Sequence, residues 1–183
     1  MGDFSSSFDI GNIIDQSGLS DVYTSGVTDF DTYVATDPTH TGNIVNSHWF
    51  SSNGTLTGNI DFDLGSSLTV SRIALWFRAG AQNAPAITNF TLFADDENTF
   101  TAATNLGSFT NAAFTDLSVQ VYDFTDTQAQ FIRMQITANN GNIFNTAHGE
   151  VAFDTVSAVP VPAAVWLMGS ALVGLLGFRK KAA

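Results

Sequence analysis

Residues 58–77, GNIDFDLGSSLTVSRIALWF, contain two short runs in which apolar and polar side chains alternate. In residues 60–64 an isoleucine, a phenylalanine and a leucine alternate with two aspartates, which places the apolar side chains on one face of a β-strand. Residues 70–77 alternate in the same way and are rich in the β-branched and aromatic residues that favour strands. Residues 65–67, Gly-Ser-Ser, have the composition of a turn. This stretch therefore predicts two strands joined by a turn.

The rest of the chain continues in this style up to residue 157. Further short apolar runs, each bounded by turn-forming residues, predict strands at residues 88–94, 117–124, 131–137 and 150–156. No stretch before residue 158 keeps a helical period over several turns. We therefore predict an all-β protein, a jelly-roll sandwich of about eight antiparallel strands over residues 21–157. Residues 1–20 are predicted as a lead-in or a first edge strand, and residues 158–183 as a separate tail.

The composition excludes several classes of function. Of the 183 residues, 13% are charged, and 17 acidic residues against 6 basic ones give a net charge of −11. All the acidic residues and only three of the basic ones lie in residues 1–157, which therefore carry a formal charge of −14. A body this acidic is repelled by phosphate backbones, so we expect no nucleic-acid binding. The absence of cysteine excludes disulfides, thiolate nucleophiles and cysteine-ligated metal sites.

Possible catalytic residues are few. His40, His48 and His148 lie in no recognised catalytic motif, so we expect that the protein is not an enzyme. Asp61 and Asp63 have the alternate spacing that a carboxylate pair on one strand face would need. A solvated outer face of the sheet explains these two aspartates better.

Trp49 and Trp76 could stack on a sugar ring. Large aromatic side chains in a sandwich more often fill the core, and the 16 phenylalanines supply enough apolar area for a core without disulfides. We therefore place Trp49 in the core.

Residues 1–157 keep only the arginines Arg72, Arg78 and Arg133, and each of them needs a reason in so acidic a body. Arg133 lies in a predicted strand, where we expect it to pair with a carboxylate. Arg78 follows the predicted strand at residues 70–77 and could reach a ligand at the end of the sandwich. Tyr33 and His40 are the other candidate ligand-binding residues.

Six segments of the body together resemble the discoidin family, also called F5/8 type C, of galactose-binding-like domains. They are residues 48–51 (HWFS), 58–65 (GNIDFDLG), 70–75 (VSRIAL), 87–95 (ITNFTLFAD), 129–136 (AQFIRMQI) and 149–153 (GEVAF). The resemblance implies a non-catalytic sandwich that binds carbohydrate through loops at one end. It also implies that Trp49 is mainly structural.

The same resemblance implies a structural calcium ion between an early acidic loop and a glutamate that opens the last strand. The matching candidate ligands are Asp29, Asp31, Asp37 and Glu150. Calcium prefers six to eight oxygen ligands at about 2.3–2.6 Å, which a turn-rich acidic loop can provide. The alternative is that these four residues are simply part of a solvated acidic surface.

The tail differs abruptly in composition from the body. Residues 163–178 contain no charged residue, and as a helix they would span roughly 24 Å at about 1.5 Å per residue. This length is marginal against a hydrocarbon core of about 30 Å. Basic residues follow at once, which would place that end in the cytoplasm. We predict a hydrophobic helix that serves as a membrane anchor before processing; a buried core helix is the alternative.

The order of features in the tail resembles the PEP-CTERM sorting signal of exported proteins in Gram-negative bacteria that make exopolysaccharide. The motif consists of Val159, Pro160, Pro162, Arg179, Lys180 and Lys181, with Val161 where the most common motif has glutamate. The resemblance implies cleavage by an exosortase, transient anchoring in the inner membrane, and a final location at the cell surface or in the extracellular matrix. Export also requires a leader, and residues 1–4 show none, so we expect a leader that this chain does not include.

We consider three functions. The leading hypothesis is an exported, non-catalytic carbohydrate-binding module associated with exopolysaccharide or the cell surface. The alternative is a self-associating structural protein of the extracellular matrix, for which the tail serves only in export. An enzyme acting on glycans ranks third.

Overall fold

The computed structural model describes residues 1–78, 84–111 and 117–156. Two 3₁₀ turns, Ser6–Phe8 and Ile10–Ile13, lie near the N-terminus. One helix, α1, comprises Phe30–Ala35. In chain order the strands are β1 Trp49–Phe50, β2 Gly58–Phe77, β3 Ile87–Asp95, β4 Thr104–Thr110, β5 Gln120–Asn139 and β6 Ala147–Val156.

The strands form one sheet in the order β1-β6-β2-β5-β3-β4, and every neighbouring pair is antiparallel. The prediction of an all-β antiparallel fold is confirmed. The described residues form six strands instead of the predicted number of about eight, because neighbouring predicted strands are continuous. Residues 60–64 and 70–77 both belong to β2, and most of residues 117–124 and 131–137 belongs to β5.

Two of the strands, β2 and β5, run through both layers of the sandwich. Residues 58–63 of β2 pair with residues 131–136 of β5, and residues 68–75 of β2 pair with residues 120–129. The register shifts between Asp63 and Leu68, where Gly65 adopts a φ of 79° that favours glycine. The predicted turn at residues 65–67 is therefore a bend within one long strand.

The two layers enclose the main core. The first layer consists of the first half of β2, the second half of β5, β3 and β4, and the second layer of the other halves with β6 and β1. Across the core the rings of Phe62 and Phe153 lie 5.3 Å apart, and those of Phe90 and Tyr122 lie 5.2 Å apart. Trp49 is fully buried in this core, as predicted.

A second apolar cluster covers the outer face of the second layer. Trp76 of β2 is fully buried there, with the ring of Tyr33 in α1 at 6.2 Å. The indole N–H of Trp76 donates to the carbonyl of Pro38 at 2.8 Å, which holds the segment after α1 against the sheet. Asp29 begins α1 by accepting the backbone N–H of Thr32 at 2.8 Å.

The first 20 residues are packed against the sandwich. Ile13 is 1% exposed and belongs to the main core. The carboxylate of Asp3 accepts the indole N–H of Trp49 at 3.0 Å, and Asp3 forms an isolated bridge with Ser51. In residues 1–20 the structure shows 3₁₀ turns and isolated bridges instead of an edge strand, and the division of the chain at residue 20 stays a prediction.

Within residues 1–78, 84–111 and 117–156, no helix has the length and apolar character needed to cross a membrane. The predicted hydrophobic helix of the tail lies outside the described residues. The same holds for the predicted sorting motif, whose residues are Val159, Pro160, Pro162, Arg179, Lys180 and Lys181. Both stay predictions.

Candidate functional site

One end of the sandwich brings several connecting segments together. Phe77, the last residue of β2, pairs with His148 of β6, so Arg78 and the segment before β6 lie at the same end. The backbone N–H of Asn140 donates to the carbonyl of Ala86 at 2.9 Å, which joins the β5–β6 connection to the start of β3. We call this surface, formed by Arg78 and residues 84–86 and 139–146, the loop end.

Arg78 differs from the other two arginines in the described part of the chain because it has no ion pair there. Arg133 binds Asp61 and Arg72 binds Asp154, in each case through two guanidinium nitrogens, and Arg72 also pairs with Asp31. The prediction that Arg133 pairs with a carboxylate is confirmed. For Arg78 no ion pair is found among the described residues, and its buried Nε has no hydrogen-bond partner.

Arg78 is a half-buried residue that carries a positive charge. Burial lowers the pKa of the guanidinium, but arginine keeps its charge under all ordinary conditions. The loop end therefore holds a half-buried cation that no described carboxylate neutralises, in a body rich in carboxylates. Such a group has donors to offer to oxygen atoms of a ligand.

The three histidines gather behind the loop end. His40, His48 and His148 are 2%, 0% and 0% exposed, and the rings of His40 and His48 contact edge to face. The Nε2 atoms of His40 and His48 and both ring nitrogens of His148 have no hydrogen-bond partner. Burial lowers the pKa of all three and brings those of His48 and His148 to about 3. The cluster is therefore neutral at physiological pH.

Histidines that are buried and uncharged fit poorly with acid–base catalysis. The Ser47 hydroxyl lies 3.2 Å from Nδ1 of His48, the only side-chain hydrogen bond between a serine and a histidine in the described ranges. Ser47 donates to the carbonyl of Asn43, and both Ser47 and His48 are buried. A histidine with a pKa of about 3 is also a weak base. This pair therefore stabilises a loop.

The structure places Tyr33 and His40, two of the predicted ligand-binding residues, inside the protein. Tyr33 is 5% exposed, and its hydroxyl donates to the carbonyl of Asp21 at 2.9 Å. Burial raises its pKa to about 12. His40 fits between two glycines, Gly18 and Gly149, where even a single methyl group would contact its ring. Ligand binding by Tyr33 or His40 stays a prediction that this geometry does not favour, whereas Arg78 is at the surface.

The sequence predictions did not include one feature of the loop end, the exposed apolar pair Ile143 and Phe144. Ile143 and Phe144 are 72% and 60% exposed, and the amide of Asn139 supports their loop by donating to the carbonyls of Asn142 and Asn145. The signal in the sequence is an isolated Ile-Phe pair within NNGNIFN, a stretch that otherwise has the composition of a turn. An exposed ring on a braced loop can stack against a ligand.

The carboxylates predicted to bind calcium are Asp29, Asp31, Asp37 and Glu150. The Asp29 carboxylate caps α1 through Thr32, and hydrogen bonds from the side chain and then the backbone N–H of Thr32 lower its pKa. The Asp31 carboxylate is paired with Arg72. Residues 1–78, 84–111 and 117–156 contain no group of three or more His, Asp or Glu side chains able to hold a metal ion. The four carboxylates therefore do not fit as one calcium-binding set.

Glu150 has one property expected of a cation ligand. Its side chain is fully buried, and Oε2 has no hydrogen-bond partner. Burial and, to a smaller extent, the nearby negative charge of Asp15 raise its pKa to about 8. Calcium at this position stays a prediction, supported by Glu150 and not by the three aspartates.

Comparisons with known proteins agree with this architecture. The sequence profile of the F5/8 type C domain matches residues 23–148, more than half of the chain. The C-terminal domain of a chitobiase from Bacteroides fragilis superimposes with a TM-score of 0.51 at 20% identity, covering 61% of this chain and 74% of that one. CBM32-1, from a family 31 glycoside hydrolase of Clostridium perfringens, superimposes with a TM-score of 0.55 at 13% identity, covering 84% and 88%. At these identities the structures show a shared fold. No curated protein matches the sequence.

Proposed function

Because the chain belongs to the F5/8 type C domain family, we propose that it is a non-catalytic carbohydrate-binding module. The observation that carries the proposal is Arg78, a half-buried guanidinium at the loop end without a described carboxylate partner. A sugar offers hydroxyl oxygens that can accept from such a group. The exposed ring of Phe144, also at the loop end, can pack on the apolar face of a sugar.

The charge of the protein narrows the class of glycan. Residues 1–157 carry a formal charge of −14, which repels polymers that are themselves anionic. We therefore infer that the ligand is an uncharged polysaccharide and not a polyuronate. Salt would weaken this repulsion, so any binding of alginate should increase with ionic strength.

We also propose that the module acts outside the cell, bound to exopolysaccharide or to the cell surface. The support for this proposal is the resemblance of residues 159–181 to a sorting signal, together with an acidic, cysteine-free body. Mass spectrometry of the intact protein released from the surface of a host with an exosortase should then show the apolar tail missing. Recovery of the protein with its tail through Ala183 would argue instead for a permanent membrane anchor.

The binding proposal can be tested directly. A glycan array, run with and without calcium, identifies the sugars, and electrophoresis through gels containing galactomannan or alginate then measures retention of the full chain. We expect galactomannan to retard the wild type and retardation to fall about tenfold or more in Arg78→Gln. Mobility in a gel without polymer corrects for the lost charge.

A matched pair of variants tests the aromatic contact. Phe144→Ala should weaken retention, and Phe4→Ala, which removes a ring that is similarly exposed (53% against 60%), should not. Failure of the wild type to bind any glycan would refute the proposal. Ordered polymerisation in sedimentation experiments would then favour the structural matrix protein.

A further inference from the structure

The outer face of the first layer carries polar and aromatic side chains, whereas Arg78 follows the half of β2 that belongs to the second layer. On β5, Ile132 and Met134 point into the core, and Arg133 between them lies on the opposite face. Arg133 pairs in register with Asp61 of β2 on one side and Phe93 of β3 on the other. A carboxylate, a guanidinium and a phenyl ring therefore lie side by side across three strands.

The guanidinium of Arg133 is held in a fixed orientation. Its Nε donates to Oδ1 of Asp61 at 2.7 Å and its Nη2 donates to Oδ2 at 2.8 Å. This two-bond geometry fixes the plane of the guanidinium as well as its position. Among the described residues no hydrogen bond uses Nη1, which therefore keeps its donors. Because Asp61 balances the charge, the pair presents directional donors without a net positive charge.

The connection from β3 to β4 adds a second aromatic ring. The ring of Phe100 covers the guanidinium of Arg133, and the Cζ atom of Arg133 lies 4.0 Å from the centroid of that ring. Phe100 adopts a φ of 52°, in the left-handed region that bulky residues rarely occupy. Strained backbone of this kind is concentrated at binding sites. The strained residue is thus also the one whose ring lies over Arg133.

These side chains line a surface cleft of about 510 Å³. Its walls include Phe93, Phe100, Thr101, Arg133 and Gln135. Small-molecule sites commonly measure about 300–1,000 Å³ and combine aromatic walls with a few placed polar groups. The cleft therefore has the size and the chemistry of a binding site for one sugar residue.

We propose that this cleft is a second glycan-binding site, which takes an uncharged sugar residue of a polysaccharide chain. This inference rests on the proposed carbohydrate-binding function but not on the loop end. The phenyl rings suit the apolar face of a sugar, and Nη1 of Arg133, the amide of Gln135 and the hydroxyl of Thr101 suit its hydroxyl groups. Because Asp61 already neutralises Arg133, the cleft has no excess positive charge to attract a uronic acid.

Two sites on one module would bind one polymer with avidity. The second contact is intramolecular once the first has formed, so the combined affinity exceeds that of either site by a large factor. Loss of one site should therefore weaken retention by roughly tenfold or more, and loss of both should remove it.

The test uses the full chain and retention in gels containing galactomannan. Phe100→Gly removes the ring at a position where the backbone favours glycine, so the variant should fold, and Phe4→Gly is the matched control for loss of an exposed ring. Gln135→Ala removes a wall of the cleft without disturbing the pair of Arg133 with Asp61. We expect both cleft variants to bind more weakly than Phe4→Gly, and Phe100→Gly combined with Arg78→Gln to lose retention.

A second measurement locates the contact. Titration with galactose, followed by nitrogen–proton correlation spectra, should shift the Nε–H resonance of Arg133 in the wild type and in Arg78→Gln. If the wild type is retained but both cleft variants match Phe4→Gly, this inference is wrong and the proposed function stands. If alginate retards the wild type as strongly as galactomannan, the assignment of an uncharged sugar is wrong. If no polymer retards the wild type, both proposals are wrong.

Discussion

The imidazole rings of His40 and His48 contact edge to face, with their centroids 4.5 Å apart and their planes at 86°. His148 and Arg78 are close enough to His48 for positive charges on them to disfavour its protonation. The segments that meet at the loop end therefore pack on a cluster that must stay uncharged.

This cluster predicts that the protein loses stability in acid. The pKa values of His48 and His148 are about 3 in the folded protein, against about 6.5 in the unfolded chain. The unfolded state binds more protons between these values, so the histidines reduce stability as the pH falls below about 6.5. His148→Leu removes one such group at similar volume and should lose less stability than the wild type between pH 7 and 4.5. Thermal unfolding over this range checks the prediction, and identical curves would contradict it.

The raised pKa of Glu150 predicts that the protein loses stability as the pH rises. Its pKa is about 8 in the folded protein, against a usual value near 4.5, so the folded state holds a proton that the unfolded state releases. The stabilising effect of this proton is complete below about pH 4.5 and is lost as the pH rises to about 8. In chelator, Glu150→Gln should therefore gain melting temperature relative to the wild type as the pH rises from 5 to 9, by several degrees. A constant difference between the two proteins would show that Glu150 does not titrate in this way.

Calcium bound at Glu150 would stabilise the folded protein. If the predicted ion binds the unpartnered Oε2, added calcium should raise the melting temperature of the wild type by mass action and that of Glu150→Gln much less. Asp31→Asn, which alters a carboxylate already paired with Arg72, should respond to calcium like the wild type. No calcium-dependent shift in the wild type after dialysis against chelator would eliminate the site.

Gly149 is predicted to tolerate no side chain. A Cβ atom added there would lie 2.5 Å from the carbonyl oxygen of Trp76 and 3.4 Å from the ring of His40. Gly149→Ala should therefore destabilise the protein by roughly 1–3 kcal/mol. Gly42→Ala is the matched control, because no atom lies within 4 Å of a Cβ added at Gly42. Denaturant unfolding measures the difference, and equal midpoints for the two variants would contradict it.

Parts of the fold could be predicted from the sequence because they depend on local alternation. The alternating residues of β2 were predictable in this way, and the burial of Trp49 was predictable because large aromatic side chains in a sandwich usually fill the core. The continuity of β2 was not, because Gly65-Ser66-Ser67 has the composition of a turn, and only pairing with β5 on both sides of the bend keeps the strand continuous. Propensity is overridden here by tertiary pairing.

The site was harder to predict. A carboxylate partner for Arg133 was expected from its place in the predicted strand that resembles the family motif, but its identity as Asp61 depends on register across two strands. His40, His48 and His148 show no shared motif in the sequence. They come together because β1 pairs with β6, which places Trp49 opposite His148. Sequence spacing contains no information about that contact.

The long strands β2 and β5 have a mechanical consequence. Each of them belongs to both layers, so neither layer has a complete set of strands of its own. The first layer closes only when Gly58 meets Ile136, and contacts so distant in sequence make folding slow. Once folded, a pulling force on one layer passes along the covalent backbone of β2 and β5 into the other. The two layers therefore cannot be separated while β2 and β5 stay intact, a property that would suit the proposed binding of a polysaccharide chain.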